Sequence, residues 1–243
     1  MISRPWSALA ELETALRESQ AYGRLVDTHA HRAMQEDSLR ILQGRDALTA
    51  HWVGVGPQSV RITADLGEMI GFAVEAVGRA WRGHRWIWRE DGRVVREVVV
   101  EDSGLERQAP PDHSPLGELR AGTGQFGAGS EAILPRDFHP SARPLADRLH
   151  RAWNGRAFDL YSAEWLTRLV QIMPDATFHF ERAICLGDQT AILWRVHGHH
   201  QNGQRVRLIG SSVMNLDAEE TLLDHAAMAA QLRRQIIDYS KAG

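Results

Sequence analysis

The chain has 243 residues, 43% of them hydrophobic and 24% charged, with a formal net charge of -3 and a single cysteine. This composition is globular, and the charge offers no basic field to attract nucleic acid or an anionic membrane, so neither is expected as a partner. The lone Cys185 excludes an intramolecular disulfide and a thiolate cluster for zinc, which suits a reducing cytosol.

The opening MISRPWSALAELETAL carries charges throughout, and no stretch of about 18 apolar residues follows anywhere. The expectation is a soluble cytoplasmic protein. Pro5 and Ser7 precede a helical pattern with Leu9, Leu12 and Leu16 on one face. Residues 26–34 read as a strand, and Gly44 and Asp46 introduce a helix over 47–52 with Asp46 as its N-cap. From Ser59 the texture turns to strands, at 60–63, 70–81, 84–89 and 93–100, with Asp91-Gly92 closing the last pair.

A two-residue turn at Asp91-Gly92 sets Trp88 opposite Val95, Trp86 opposite Glu97 and His84 opposite Val99 on one face. Arg85, Ile87, Arg89, Arg96 and Val98 fall on the reverse, and three arginines prefer water. The tryptophan side is therefore expected to be the covered one, carrying His84 and Glu97 inward. A one-residue bulge would invert one strand against the other.

Residues from about 103 to 144 are rich in proline and glycine and keep no period, which is how a linker between two domains reads. The expected organisation is a domain over residues 1–105, a linker over 106–143 and a second domain over 144–243. In the second, Leu145, Leu149, Ala152 and Trp153 share a helical face that stops at Asn154-Gly155, and a helix over 163–173 is ended by Pro174. Strands follow over 177–186 and 189–200, then a third after Asn202-Gly203. Asp224 opens a last helix striped by Met228, Leu232, Ile236 and Tyr239.

Reading Gly187-Asp188 and Asn202-Gly203 as two-residue turns sorts the side chains of this meander by face. One face carries Phe178, Phe180, Ile184, Leu193, Val206, Leu208 and Met214, with Arg182, Arg195, His197 and His199 among them. The other carries His179, Glu181, Cys185, Trp194, Val196, His200, Arg205, Arg207 and Ile209. The first reads as the lining of a ligand cavity. The second, with Trp194, Val196 and Ile209 amid arginines, points to contact with the partner domain or with a second copy in a homodimer. The same order, helices and then an antiparallel meander, occurs in both halves, so the expected class is α+β in two homologous domains.

The strings HRAWNGRAFDLY, LVQIMPDATFHFERAICLGDQTAILWRVHGHH and LLDHAAMAAQL resemble the nuclear transport factor 2-like (NTF2-like) superfamily, in its SnoaL-like polyketide cyclase and ester cyclase branch. YGRLVDTHAHRAM, LQGRDALTAHW and GRVVREVVVED resemble a more diverged copy. The resemblance implies two tandem cone-shaped (cystatin-like) domains, each a curved antiparallel sheet wrapped over helices around a cavity. It also implies an aspartate on the last strand as acid/base group, with a histidine on the strand before. Those places fall near Val99 in the first half, and near Thr221 and Ser212 in the second. Valine transfers no proton, and a threonine hydroxyl has far too high a pKa to act unaided near neutral pH.

Residues 25–31, LVDTHAH, place two histidines two apart, as in the first metal-binding strand of amidohydrolases. That architecture needs strands and helices in alternation, whereas here strands run consecutively; the plainer reading is a polar strand at a cavity rim. His197 and His199 form a second such pair and lack a third protein ligand, so no metal is expected. His197 is the candidate proton carrier and Arg195 the stabiliser of an anionic oxygen, with His199 and Ser212 as ligand contacts. The competing reading of the histidines is hydrogen-bonded residues at a sheet end or dimer contact. His84, Trp86, Trp88 and Glu97 are candidates to cradle a flat organic ligand in the first half, against a plainer role as core or interface. The expected function is binding of a small apolar or aromatic molecule, with cofactor-independent acid/base catalysis of cyclase, isomerase or hydrolase type. The alternative is a ligand-binding or assembly protein that kept the fold without the catalytic aspartate.

Overall fold

The computed structural model describes residues 14, 29–37, 41–55, 58–65, 69–76, 82–91, 93–101, 137–158, 164–186, 189–214, 219–223, 227–228 and 231–232. The chain divides into two compact units, Met1–Leu105 with Asp112–Gly124, and Glu106–Pro111 with Gln125–Gly243. Each described unit pairs an antiparallel-rich sheet with helices, so the class is α+β. Expectations for the N-terminal helix, for residues 103–136 of the linker, for the Gly187-Asp188 turn residues and for Asp224, Ile236 and Tyr239 lie outside the described residues. The LVDTHAH stretch is described only from residue 29, where it begins the first strand.

In the first unit, β1 (His29–Glu36) runs parallel to β6 (Arg93–Glu101) and antiparallel to the short β2 (Ile41–Gln43). Helix α1 (Arg45–Val55) follows β2, and β3 (Gln58–Asp65), β4 (Met69–Ala76), β5 (Arg82–Glu90) and β6 form a meander, giving the order β2-β1-β6-β5-β4-β3. The turn into α1 is made by Gly44, whose N–H donates to Ala33 O at 2.8 Å and whose carbonyl accepts from Leu48 N at 3.2 Å. Asp46 is therefore not the N-cap; it sits in the first turn, where its charge complements the helix dipole. Leu48 and Ala33, both 0% exposed, lock α1 onto β1.

The β5–β6 turn has the expected two-residue span, since Glu90 pairs with Arg93 and Arg89 with Val94. A bulge at Val95 then moves the register by one, and Trp88 meets Arg96, Trp86 meets Val98 and His84 meets Val100. Glu97 is thereby turned away from the tryptophans and pairs with Ile87 beside Arg85. The expected grouping of His84, Trp86, Trp88 and Glu97 on one face does not occur. Nor is the arginine side wet, for Arg85 is fully buried alongside Ile87 and Val99.

In the second unit, β7 (Asp137–Phe138) lies parallel to β8 (Thr177–Leu186) at one edge. Helices α2 (Arg143–Asn154) and α3 (Glu164–Ile172) precede the meander β8, β9 (Gln189–His199), β10 (Arg205–Met214) and β11 (Glu219–Leu223), ordered β11-β10-β9-β8-β7. Helix α2 stops where Asn154-Gly155 predicts, but the left-handed residue is Arg156, at φ 62, rather than the glycine. Ala157 N–H donates to Ala152 O at 2.9 Å, a pairing that closes the last turn, while the Arg156 guanidinium donates to Pro174 O at 3.0 Å and Ala176 O at 2.7 Å. These bonds hold a conformation that costs an arginine about 1 kcal/mol.

Two edge gaps in this sheet are filled by side-chain amides. Beyond the short β7, Asn154 Oδ1 accepts from Phe178 N and its Nδ2 donates to Phe178 O, each at 2.9 Å. Beyond the end of β11, Gln231 does the same for Arg207, at 3.0 and 2.7 Å. Each carboxamide stands in for one residue of a missing strand.

Candidate functional site

Two irregularities decide which side chains of the second meander share a face. Leu186 pairs with Gln189 and the register holds to Arg182–Leu193, but Glu181 is bulged, so Phe180 meets Trp194 and Phe178 meets Val196. At the other hairpin, His200 N–H donates to Gln204 O at 2.8 Å and Gly203 N–H to His200 O at 2.7 Å, with Gly203 at φ 82. This is a three-residue loop, Gln201-Asn202-Gly203, rather than a two-residue turn, and it needs the glycine at its left-handed third position. Val206 and Leu208 accordingly meet Gly198 and Val196.

The inner face, against α2 and α3, therefore carries Phe178, Phe180, Trp194, Val196, Val206 and Leu208. Arg195, His197 and His199 lie on the opposite face, with His179, Arg205 and Arg207. The expected cavity wall is corrected: the Glu181 bulge separates Phe178 and Phe180 from Arg195, His197 and His199, and the extra loop residue does the same for Val206 and Leu208.

Trp153 of α2 is the centre of the inner face. Its ring stands edge-on to Trp165, Phe178, Phe180 and Trp194, with centroids 4.9–5.5 Å away. Trp165 of α3 stacks on Trp194 at 5.3 Å and 15°. Trp153, Phe178, Phe180 and Trp194 are at most 1% exposed, whereas Trp165 is half-buried. These perpendicular and offset pairings are the ones the ring quadrupole favours. Each of the three tryptophans comes from a different element, so strand register alone gave no sign that they meet.

Trp194 also joins a polar chain. Its Nε1 donates to Ser212 Oγ at 3.0 Å, and Ser212 Oγ lies 2.7 Å from Thr221 Oγ1. Ser212 and Thr221 are direct cross-strand partners on β10 and β11, so both hydroxyls face inward beside Trp194. Ser212 is fully buried and Thr221 half-buried. The indole N–H donating to Ser212 polarises the hydroxyl pair that Ser212 forms with Thr221. Neither hydroxyl exchanges a proton unaided near neutral pH.

On the opposite face, Arg195 Nε donates to Glu181 Oε2 at 2.9 Å in a buried ion pair, so the bulged residue supplies its partner. His199 is tied down from two directions: its backbone N–H donates to Asp175 Oδ1 and its Nδ1 to Asp175 Oδ2, both at 2.6 Å. The His199 backbone bond, and then its ring bond, hold the Asp175 carboxyl below the usual carboxylate range. His197 is half-buried on β9 between Thr177 and Arg207.

In the first unit, Arg85 and Glu97 form a fully buried ion pair at 3.9 Å. Burial pulls the Arg85 guanidinium down to about 10, with the Glu97 charge pulling the other way. Trp86 is buried on the reverse face with His84, and the Arg96 guanidinium lies 4.4 Å over the Trp88 ring while reaching Glu36 Oε2 at 3.4 Å. Val99, at the place of the expected aspartate, is buried directly across from Arg85. Among the described residues, no three histidine, cysteine, aspartate or glutamate side chains converge as a metal site, and no helix is long and apolar enough to cross a membrane.

No protein-family profile matches the chain, and no curated protein matches it. Among solved structures, it is similar to a de novo designed protein with a curved β-sheet, at 16% identity and TM-score 0.32 over 38% of this chain and 85% of the other. It is also similar to an NTF-2-like protein of unknown function from Silicibacter pomeroyi, at 17% identity and TM-score 0.30 over 39% of this chain and 93% of that one. A candidate polyketide cyclase from Sinorhizobium meliloti matches at 19% identity and TM-score 0.29, over 37% of this chain and 93% of its own. Likenesses of this order tie no activity to the chain.

Proposed function

We propose that the second unit is an NTF2-like, SnoaL-like binder of a small, flat, apolar or aromatic molecule, working without acid/base chemistry at the usual strand positions. The observation that carries this reading is the hydroxyl pair Ser212–Thr221, 2.7 Å apart and fed by Trp194 Nε1, where the family resemblance calls for a histidine and an aspartate. Hydroxyls recognise a carbonyl or hydroxyl oxygen well and abstract protons poorly. The half-buried Trp165, stacked on Trp194, offers a ring on which a flat ligand continues the stack. The acid/base reading through His197 and Arg195 loses support, because Arg195 is held by Glu181 and both residues face away from the aromatic cluster.

The test uses 1-naphthol and 1-tetralone as flat oxygen-bearing probes, read by quenching of tryptophan fluorescence. Saturable quenching weakened about fivefold or more by Thr221→Val, the loss of about 1 kcal/mol for one hydrogen bond, and unchanged by His197→Ala, is the expected result. Absence of saturation, or equal affinity in Thr221→Val, would overturn the proposal. Weakening by His197→Ala alone would return the site to the opposite face.

A further inference from the structure

The outward face of β8–β10 is not uniform along its length. At Leu193, Ile209 and Ser211 it is covered, whereas toward the 201–203 loop it opens, with Arg205 and His199 exposed and Arg207 and His197 half-buried. The register sets Arg205 directly across from His199 and Arg207 directly across from His197, so these four cationic or protonatable side chains share one open patch. Of the acidic groups nearby, Asp175, just before β8, pairs with His199 at the edge of the patch, and Glu181 of β8 pairs with Arg195.

Arg207 stands out in that patch. Its backbone is fixed at both N–H and carbonyl by Gln231, yet its guanidinium makes no hydrogen bond or ion pair among the described residues. Partial burial and then the like charge of Arg205 push its pKa down, and no acid among the described residues offsets either. Natural chains seldom hold a half-buried guanidinium beside another cation without an anion to face it, since both desolvation and repulsion act against the charge.

We infer that this open end of the outward face is a binding site for the phosphate group of a soluble small molecule, centred on Arg207 with Arg205 and His197 beside it. The guanidinium fork of Arg207 matches two phosphate oxygens bidentately, and Arg205 beside it places a second cation at the same end of the sheet. The site lies on the face opposite the Trp194 cluster and does not depend on the function proposed for that cluster.

The test is a titration of the full chain with inorganic phosphate at pH 7 and constant ionic strength, read by NMR at the arginine Nε–H and histidine ring resonances. Saturable shifts at Arg207 and His197 are expected, with affinity at least about tenfold weaker in Arg207→Gln and intermediate in Arg207→Lys. An unchanged melting temperature in Arg207→Gln keeps the comparison clean, because the side chain points outward. Equal affinity in Arg207→Gln, equal competition by acetate, or no saturation by about 50 mM phosphate, which is weaker than the millimolar scale of a functional contact, would each overturn the inference. So would binding of duplex DNA or anionic vesicles by a chain that ignores free phosphate.

Discussion

The indole of Trp194 lies across Gly210 on the neighbouring strand, in the volume that any side chain at 210 would need: a Cβ built there falls among the ring atoms Cζ2, Cη2 and Cε2. The glycine is thus the floor on which the tryptophan rests while its Nε1 reaches Ser212. Gly210→Ala is expected to destabilise the second unit by about 2–3 kcal/mol, since a displaced indole also loses its hydrogen bond. Denaturant titration followed by tryptophan emission measures this, and a midpoint equal to the parent's would refute the packing described.

Trp153 supplies the edge that four other rings meet, so its removal empties the middle of the cluster. Trp153→Ala is expected to cost about 3–5 kcal/mol, whereas Trp165→Ala, on the half-buried partner, costs less. The ranking of the two by thermal denaturation is the check.

The buried pair in the first unit predicts a non-additive cycle. Removing one partner, as in Glu97→Leu, takes the opposing carboxylate from a fully buried guanidinium and is expected to cost about 3–5 kcal/mol. Arg85→Met combined with Glu97→Leu should recover most of that loss, because two apolar groups need no partner. A double variant as unstable as the sum of the single ones would show that the pair's charges are not coupled.

Asp175 gives a pH dependence of definite sign. Its carboxyl titrates lower in the folded chain than its ordinary value of 3.8, so its contribution is present above that value and lost as the pH falls through the folded value. Because Asp175 and His199 are more than half exposed, the gain at neutral pH is at most about 1 kcal/mol. The stability difference between the parent and Asp175→Asn should therefore be small at pH 6, shrink below about pH 4 and vanish in stronger acid. A difference that grew on acidification would contradict the assignment.

Apart from β11, the strands of both meanders were legible in the sequence to within a few residues, because apolar alternation and the Asp-Gly, Gly-Asp and Asn-Gly dipeptides mark them. Which side chains share a face was not. Val95 and Glu181 are ordinary strand residues, and a bulge requires no special side chain, so nothing local announces the inserted residue. Asn202-Gly203 fits a two-residue turn and a three-residue loop alike; Gln204 N–H donating to Asn202 Oδ1 at 3.0 Å helps hold the longer form, a contact settled only in the fold. From the bulges followed the misplacement of Glu97 and of Phe178 and Phe180 relative to Arg195, His197 and His199, and from the loop that of Val206 and Leu208. Ser212 and Thr221 drew notice through the family resemblance, which depends on position along the strands and not on turn geometry. Trp153, Trp165 and Trp194 escaped because each reads as ordinary core within its own element.

The amides of Asn154 and Gln231 reach past the ends of β7 and β11 to Phe178 and Arg207. Backbone amides at such gaps would ordinarily exchange with solvent as quickly as those of a frayed edge. Here the Phe178 and Arg207 protons should exchange at the pace of ladder protons in β9, and Asn154→Ala should release Phe178 alone. Protection thus extends two residues or more beyond the last paired strand, and a foreign strand arriving at either gap finds its hydrogen bonds already taken.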